Sequence, residues 1–196
     1  MFLNGVACKD PARVSAGDFA FSGLHAAGDT ANAFGSKVTL VDARAVPGLN
    51  SLGVAMARLD LAPGGLNPPH THPRASEVLT VVEGQMHAGF VAADGTLFAR
   101  VLSAGDAFVF PRGLVHFEIN FGERPAVGIA GLSSQNPGVV RVADSPTGHR
   151  VVLPPPSGRC GDEADLSWAP GRLRLALLDS EEAASVHMPG RLACWS

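Results

Sequence analysis

Between Leu52 and Val142 the chain is a succession of short apolar runs cut by turn signals. The runs are Leu52–Leu61, Glu77–Glu83, Met86–Ala92, Thr96–Leu102, Ala107–Phe110, Val115–Phe121, Ala126–Leu132 and Val139–Val142. Gly84, Asp94-Gly95, Gly105-Asp106, Pro111 with Gly113, Gly122 and Pro137-Gly138 separate them. β-Branched and aliphatic runs at this spacing predict an all-β sandwich or barrel. A βαβ arrangement would need helical patterns of about 10–15 residues between strands, and none fits. The 23 glycines and 15 prolines among 196 residues agree, since such punctuation does not suit a long-helix bundle. Hydrophobic residues at 46% and charged residues at 17% supply a real core and argue against disorder.

The flanks read differently. Residues 1 to about 50 are irregular, with Lys37–Val41 a candidate edge strand. From Ser145 to Ser196 the strand pattern is gone, and Pro154-Pro155-Pro156 marks its end. Arg172–Met188 is the stretch a helix could use, with imperfect apolar periodicity. The expected organisation is therefore a barrel over 1–144 and an irregular, partly helical tail over 145–196. No internal repeat has solenoid spacing.

Charge excludes some partners. A net charge of −3 gives no basic footprint for nucleic acid or an anionic membrane. No stretch approaches the roughly 18 apolar residues of a membrane span. The first ten residues lack the basic start and apolar run of a secretory signal. Cys8, Cys160 and Cys194 are an odd set, which fits neither a closed disulfide framework nor a Cys-rich zinc module.

Two segments carry the chemistry. The first runs from Gly64 through Asn67-Pro68-Pro69-His70-Thr71-His72 and Glu77 to Gly84. The second runs from Gly105 through Pro111-Arg112-Gly113 and His116 to Asn120. In an extended strand residues i and i+2 share a face, so His70 and His72 can present both imidazoles to one cavity. Glu77 opens the next apolar run and can add a carboxylate. The turn at Pro111–Gly113 leads His116 back towards the same place. Three imidazoles and one carboxylate suit a divalent transition metal; manganese or iron fits a mixed nitrogen and oxygen shell, although zinc and copper bind such sets more tightly. His-x-His alone is weak evidence, for paired histidines on a strand arise by chance. Adding Glu77, the glycine brackets and the second segment makes coincidence improbable. His25, His87, His149 and His187 lie outside both segments and read as ordinary histidines, His87 on the barrel exterior.

These segments resemble the two motifs of the cupin superfamily. Gly, five residues, His-x-His, four residues, Glu, six residues, Gly is met from Gly64 to Gly84. Gly, five residues, Pro-x-Gly-x-x-His, three residues, Asn is met from Gly105 to Asn120. Pro68–Ala75 and Phe108–Phe117 further resemble the two boxes of plant germin-like proteins, as do Asp18–Leu24, Pro47–Gly53 and Leu132–Gly138. The resemblance covers about residues 4–144.

The resemblance implies a jelly-roll β-barrel with one manganese ion in its mouth, held by His70, His72, Glu77 and His116. It implies a secreted protein of the plant apoplast, related to plant defence, assembling with itself as dimers and hexamers and acting on a small anionic substrate. Superoxide dismutation is the leading activity. A non-catalytic metal-binding, receptor-like or nutrient-reservoir wall protein is the alternative. Oxalate oxidation ranks third. The true germins place two asparagines near the metal; Asn67 matches one as a substrate contact, but the other falls at Ala57, which cannot donate a hydrogen bond. Glu118 shares a face with His116, at a position where the family usually carries glutamine. The resemblance also pairs Cys8 with a cysteine that would precede Met1, so the chain is expected to be shortened at its start. An altered reading frame or splice near residue 144 would explain the abrupt end of the likeness, and the transcript sequence decides it.

Overall fold

In the computed structural model of this chain, residues 2–142 are described. Turn signals divide them into strands β1 (Phe2–Leu3), β2 (Val6–Ala7), β3 (Ser36–Val41), β4 (Ala55–Leu61), β5 (Leu66–Thr71) and β6 (Glu77–Glu83). Then follow β7 (Gln85–Val91), β8 (Leu97–Ser103), β9 (Ala107–Phe110), β10 (Val115–Ile119), β11 (Ala126–Leu132) and β12 (Val140–Arg141). Gly84 is the whole connection between β6 and β7. Its φ is +73°, and a Cβ there would lie 2.6 Å from the Pro125 carbonyl oxygen, so only glycine fits.

Two five-stranded sheets result, in the orders β3-β4-β11-β6-β9 and β12-β5-β10-β7-β8. The pairs within them are antiparallel. Neighbours distant in sequence, such as β4 with β11 and β5 with β10, are the crossovers of a jelly roll, and the all-β fold read from the sequence is present.

The core follows the period-two rule. On β4, Ala55, Ala57, Leu59 and Leu61 are buried while Met56 is exposed. On β6, Leu79 and Val81 are buried while Val78 and Val82 are exposed. Leu79, Met86, Leu102, Phe110 and Leu132 join one continuous apolar cluster between the sheets. Each such side chain contributes about 1.5–3 kcal/mol by leaving water. The segment before β3 is tied to this body by a buried ion pair. Arg58 holds Asp60 at 2.7 Å and donates to the Leu24 carbonyl, while Asp60 accepts from the Gly28 amide.

Besides the two-residue β1 and β2, the sequence runs missed β5. Pro68-Pro69 hides β5, because proline has no N–H for a ladder. The structure accommodates the pair with a β-bulge. His116 stands opposite His70 and Glu118 opposite Asn67, so two residues of β5 face one of β10 at this point. The bulge shifts the alternation by one residue and brings Asn67 to the same side as His70.

His87 also departs from expectation. It is buried, not exposed on the exterior, with its ring 6.0 Å from that of Phe117 and 5.7 Å from that of Phe121. Its Nδ1 has no hydrogen-bond partner, and burial lowers its pKa from the ordinary 6.5. The unfolded chain therefore binds a proton at this residue more readily than the folded one. The contribution is full above about pH 6.5 and is lost as pH falls. His87→Phe should flatten the acid side of the stability curve between about pH 6.5 and 5, read by urea unfolding at several pH values; an unchanged slope counts against it.

Cys8 is exposed with a free thiol. No helix of the described residues is long and apolar enough to cross a membrane. The expected boundary at residue 144, the helix over Arg172–Met188 and the cysteines Cys160 and Cys194 lie outside the described residues.

Candidate metal centre

Three elements deliver the four candidate ligands. His70 lies on β5, His72 just beyond its end, Glu77 at the first position of β6 and His116 on β10. The antiparallel register sets His70 directly opposite His116, and their ring centroids are 4.2 Å apart. His72 closes the triangle at 5.1 Å from each. One ring nitrogen from each of the three lies within 4.8 Å of the others. Glu77 completes the group: its Oε2 is 2.9 Å from His72 Nε2 and 3.6 Å from His116 Nε2. All four side chains are buried.

Each imidazole is aimed by a backbone carbonyl. His70 Nδ1 is 2.8 Å from the Pro68 oxygen, His72 Nδ1 is 2.6 Å from the Gly138 oxygen and His116 Nδ1 is 3.0 Å from the Leu114 oxygen. A carbonyl only accepts, so each Nδ1 carries the hydrogen and each Nε2 keeps its lone pair. That is the tautomer a metal needs, with the outer hydrogen bond fixing ring orientation. His116 Nε2 is buried without a hydrogen-bond partner. Stacking on Phe110, at 4.5 Å and 19°, holds that ring in place.

Electrostatics fit a cation as well. Burial, then the neighbouring His116, pushes the His70 imidazole down to about 3, so it is a neutral donor at physiological pH. Burial alone would raise the Glu77 carboxyl, but the imidazoles of His116 and His72 outweigh it and hold it at about 2. Burial likewise would lower His72, yet the Glu77 carboxylate and the Gly138 carbonyl raise it. Neutral His72 would turn its Nε2 lone pair to the Glu77 carboxylate 2.9 Å away, which is why proton uptake is favoured there; a divalent cation at Nε2 would fill the same role. An orphaned buried nitrogen, a charged carboxylate and three aimed lone pairs together suit a divalent cation.

The group opens into a cavity of about 500 Å³ between the sheets. Ala57, Leu59, Ala130 and Leu132 supply apolar wall, and Asn67 and Glu118 supply polar groups. Glu118 is fully buried and accepts from Asn67 Nδ2 at 2.8 Å. Burial, then the charge on Glu77, raises the Glu118 carboxyl well above its usual range, opposed by the Asn67 bond. Asn67 and Ala57, singled out from the sequence, both line this cavity.

A further residue acts on the site from outside. Arg74 donates through Nε to the Asn136 carbonyl at 2.7 Å and through Nη2 to the Asn136 side chain at 2.9 Å. Its backbone N–H donates to Pro137. The loop so held carries Gly138, whose carbonyl aims His72. The side-chain partners of Arg74 are thus a backbone carbonyl and a side-chain amide, 62 residues away in sequence. Arg74→Ala should weaken metal binding about 10–100-fold, the usual effect of losing an outer-shell partner. A competition titration with a coloured chelator measures this, and unchanged affinity in a folded variant counts against the role.

The family model described as Cupin matches residues 22–156. The putative germin-like protein 2-3 of Oryza sativa subsp. japonica is 57% identical over 153 residues, covering 77% of this chain and 69% of that protein. The germin-like protein subfamily 1 member 20 of Arabidopsis thaliana is 52% identical over 158 residues, covering 79% of this chain and 71% of that protein. Among solved structures, a recombinant oxalate oxidase in complex with glycolate superposes with a TM-score of 0.70 and 43% identity, over 72% of each chain.

Proposed function

Because the chain belongs to the cupin family, as one of its germin-like proteins, we propose that it is a manganese-dependent oxidoreductase of the superoxide dismutase type. The observation that carries this reading is the set of three carbonyl-aimed imidazoles with Glu77 beside them, opening on a small, largely apolar cavity. His70, His72, His116 and Glu77 would hold the ion. Manganese held there would supply two oxidation states one electron apart. The reaction balances as two superoxide ions and two protons giving one dioxygen and one hydrogen peroxide.

The chain's own groups account for the rest. The Nδ1–H bonds to Pro68, Gly138 and Leu114 keep the ligands oriented. Glu77 stays ionised and offsets part of the charge of the cation. The walls formed by Ala57, Leu59, Ala130 and Leu132 limit the water around the reacting anion. Arg141 lines the same cavity from its exposed side, where a guanidinium favours the approach of anions. The apoplast is the compartment that suits this activity, and assembly with further copies of the chain belongs to the same proposal.

Oxalate oxidation is a second reading, favoured by the 43% identity to an oxalate oxidase. It is disfavoured by Ala57, which offers the cavity no hydrogen-bond donor. Dismutase activity of manganese-loaded protein, measured against the same concentration of free manganese, tests the first reading. Activity above free manganese is expected. Metal-loaded protein no better than free manganese would overturn it in favour of a non-catalytic metal-binding protein. Hydrogen peroxide released on adding oxalate would favour the second reading.

A further inference from the structure

The cavity beside the metal centre holds more than a diatomic ion needs. Its volume of about 500 Å³ corresponds to on the order of fifteen waters at about 30 Å³ each. That size is in the range of pockets that take small organic ligands. Its two sides differ. The side on β4 and β11 is apolar. Ala57 and Ala130 are direct ladder partners, so two methyl groups floor a shallow depression, with Leu59, Leu132 and Leu40 of β3 around it. The side on β5, β10 and β12 is polar. There Asn67 is engaged with Glu118, and His70 belongs to the cation site. Among the described residues that line the cavity the acids are Glu77 and Glu118, both buried at the histidine end.

The mouth carries the opposite charge. Arg141 of β12 pairs with His70 of β5, and directly opposed residues of a ladder share a face, so its side chain leaves the sheet on the cavity side. Its guanidinium lies over the half-buried Phe34 ring, 5.9 Å from the centroid, and lines the cavity from the exposed side. Contact of this kind engages the flat face of a guanidinium. The N–H donors lie at its edge, enough to serve more than one acceptor and matched to a carboxylate in two-point geometry.

We propose that this cavity binds a ring-bearing organic monocarboxylate, with its carboxylate on Arg141 and its ring in the depression formed by Ala57 and Ala130. A guanidinium at the mouth and an apolar floor inside call for a ligand with one anionic end and an apolar body. Two alanines side by side favour a flat body, since a ring covers both methyl groups at once. The carboxylate stays at the mouth, so its capture does not depend on the protonation of Glu118. The inference goes beyond the dismutase reading and stands without the cation, because a guanidinium is the anchor. A bound ligand lies between the mouth and the metal centre and shuts small anions out.

Calorimetric titration of the full chain, manganese-loaded and metal-free, with benzoate, acetate and benzyl alcohol tests this. Benzoate offers charge and ring, acetate the charge alone and benzyl alcohol the ring alone. Benzoate should bind about tenfold more tightly than either, and about equally with and without manganese. Arg141→Gln should weaken benzoate about tenfold, the effect of losing a charged donor, and leave benzyl alcohol within about twofold. Ala130→Leu, which fills the depression, should weaken benzoate and spare acetate. Should that variant not fold, Arg141→Gln decides, because its position is exposed. Benzoate bound no more tightly than acetate, or equally by wild type and Arg141→Gln, would overturn the proposal. Binding seen only with manganese present would overturn it too, since the cation would then be the anchor. Metal content is measured on every sample, so a chain that binds benzoate but retains no manganese fails the metal centre and keeps this inference.

Discussion

Phe110→Ala should cost about 3–5 kcal/mol of stability, as expected for deleting a buried aromatic ring. Phe110 is 1% exposed and belongs to the main apolar cluster. It pairs with Glu77 in the ladder between β6 and β9 and stacks on the His116 ring. One substitution therefore opens a void in the core and frees a ligand imidazole. Urea unfolding should show a lower midpoint with little change in slope, since the same surface is exposed on unfolding. Metal affinity should fall as well, although the residue contributes no ligand atom. Phe110→Leu keeps most of the volume and should show a much smaller loss of stability. A cost below about 1 kcal/mol for Phe110→Ala would mean that the core collapses around the gap, contrary to the packing described.

Glu77→Gln should weaken manganese binding on the order of a hundredfold or more. The substitution keeps the shape of the side chain and removes its charge. Loss of outer-shell partners alone costs about 10–100-fold, and Glu77 sits 2.9 Å from His72 Nε2, inside the group itself. The consequence is also visible in stability. A ligand that binds only the folded state stabilises it by RT ln(1 + [L]/Kd). At saturating manganese a hundredfold weaker Kd removes about 2.7 kcal/mol of that stabilisation. Thermal unfolding with and without manganese reads it directly: the metal-induced rise should be large in wild type and small in Glu77→Gln. Equal rises in the two proteins would remove Glu77 from the ligand set.

Much of this architecture was legible in the residues. The β6, β9 and β11 runs carry their boundaries in the turn chemistry at Gly84, Gly105-Asp106 and Pro137-Gly138, and the structure keeps them as Glu77–Glu83, Ala107–Phe110 and Ala126–Leu132. The three histidines were legible because ligand spacing and glycine brackets are local signals. β5 was not found as a run, since Pro68-Pro69 breaks the β-branched pattern that marks a strand; only the His-x-His spacing pointed to extended backbone there. The bulge at that diproline exists only once β10 is alongside, so the meeting of Asn67 with Glu118 could not be read from either segment alone. Arg74 and its Asn136 partners are likewise joined by the third dimension, and no periodicity announces such a pair. His87 failed for the opposite reason. A polar residue in an apolar strand reads as outward, but Phe117 and Phe121 bury it, and its unpaired nitrogen carries the cost.

Metal analysis of the full chain after loading with manganese and removal of excess ion tests the centre most directly. About one tightly held ion per chain is expected, together with its loss in a variant carrying His70→Ala, His72→Ala and His116→Ala. A folded wild type that retains no manganese, or a triple variant that retains as much, would contradict the metal centre described here.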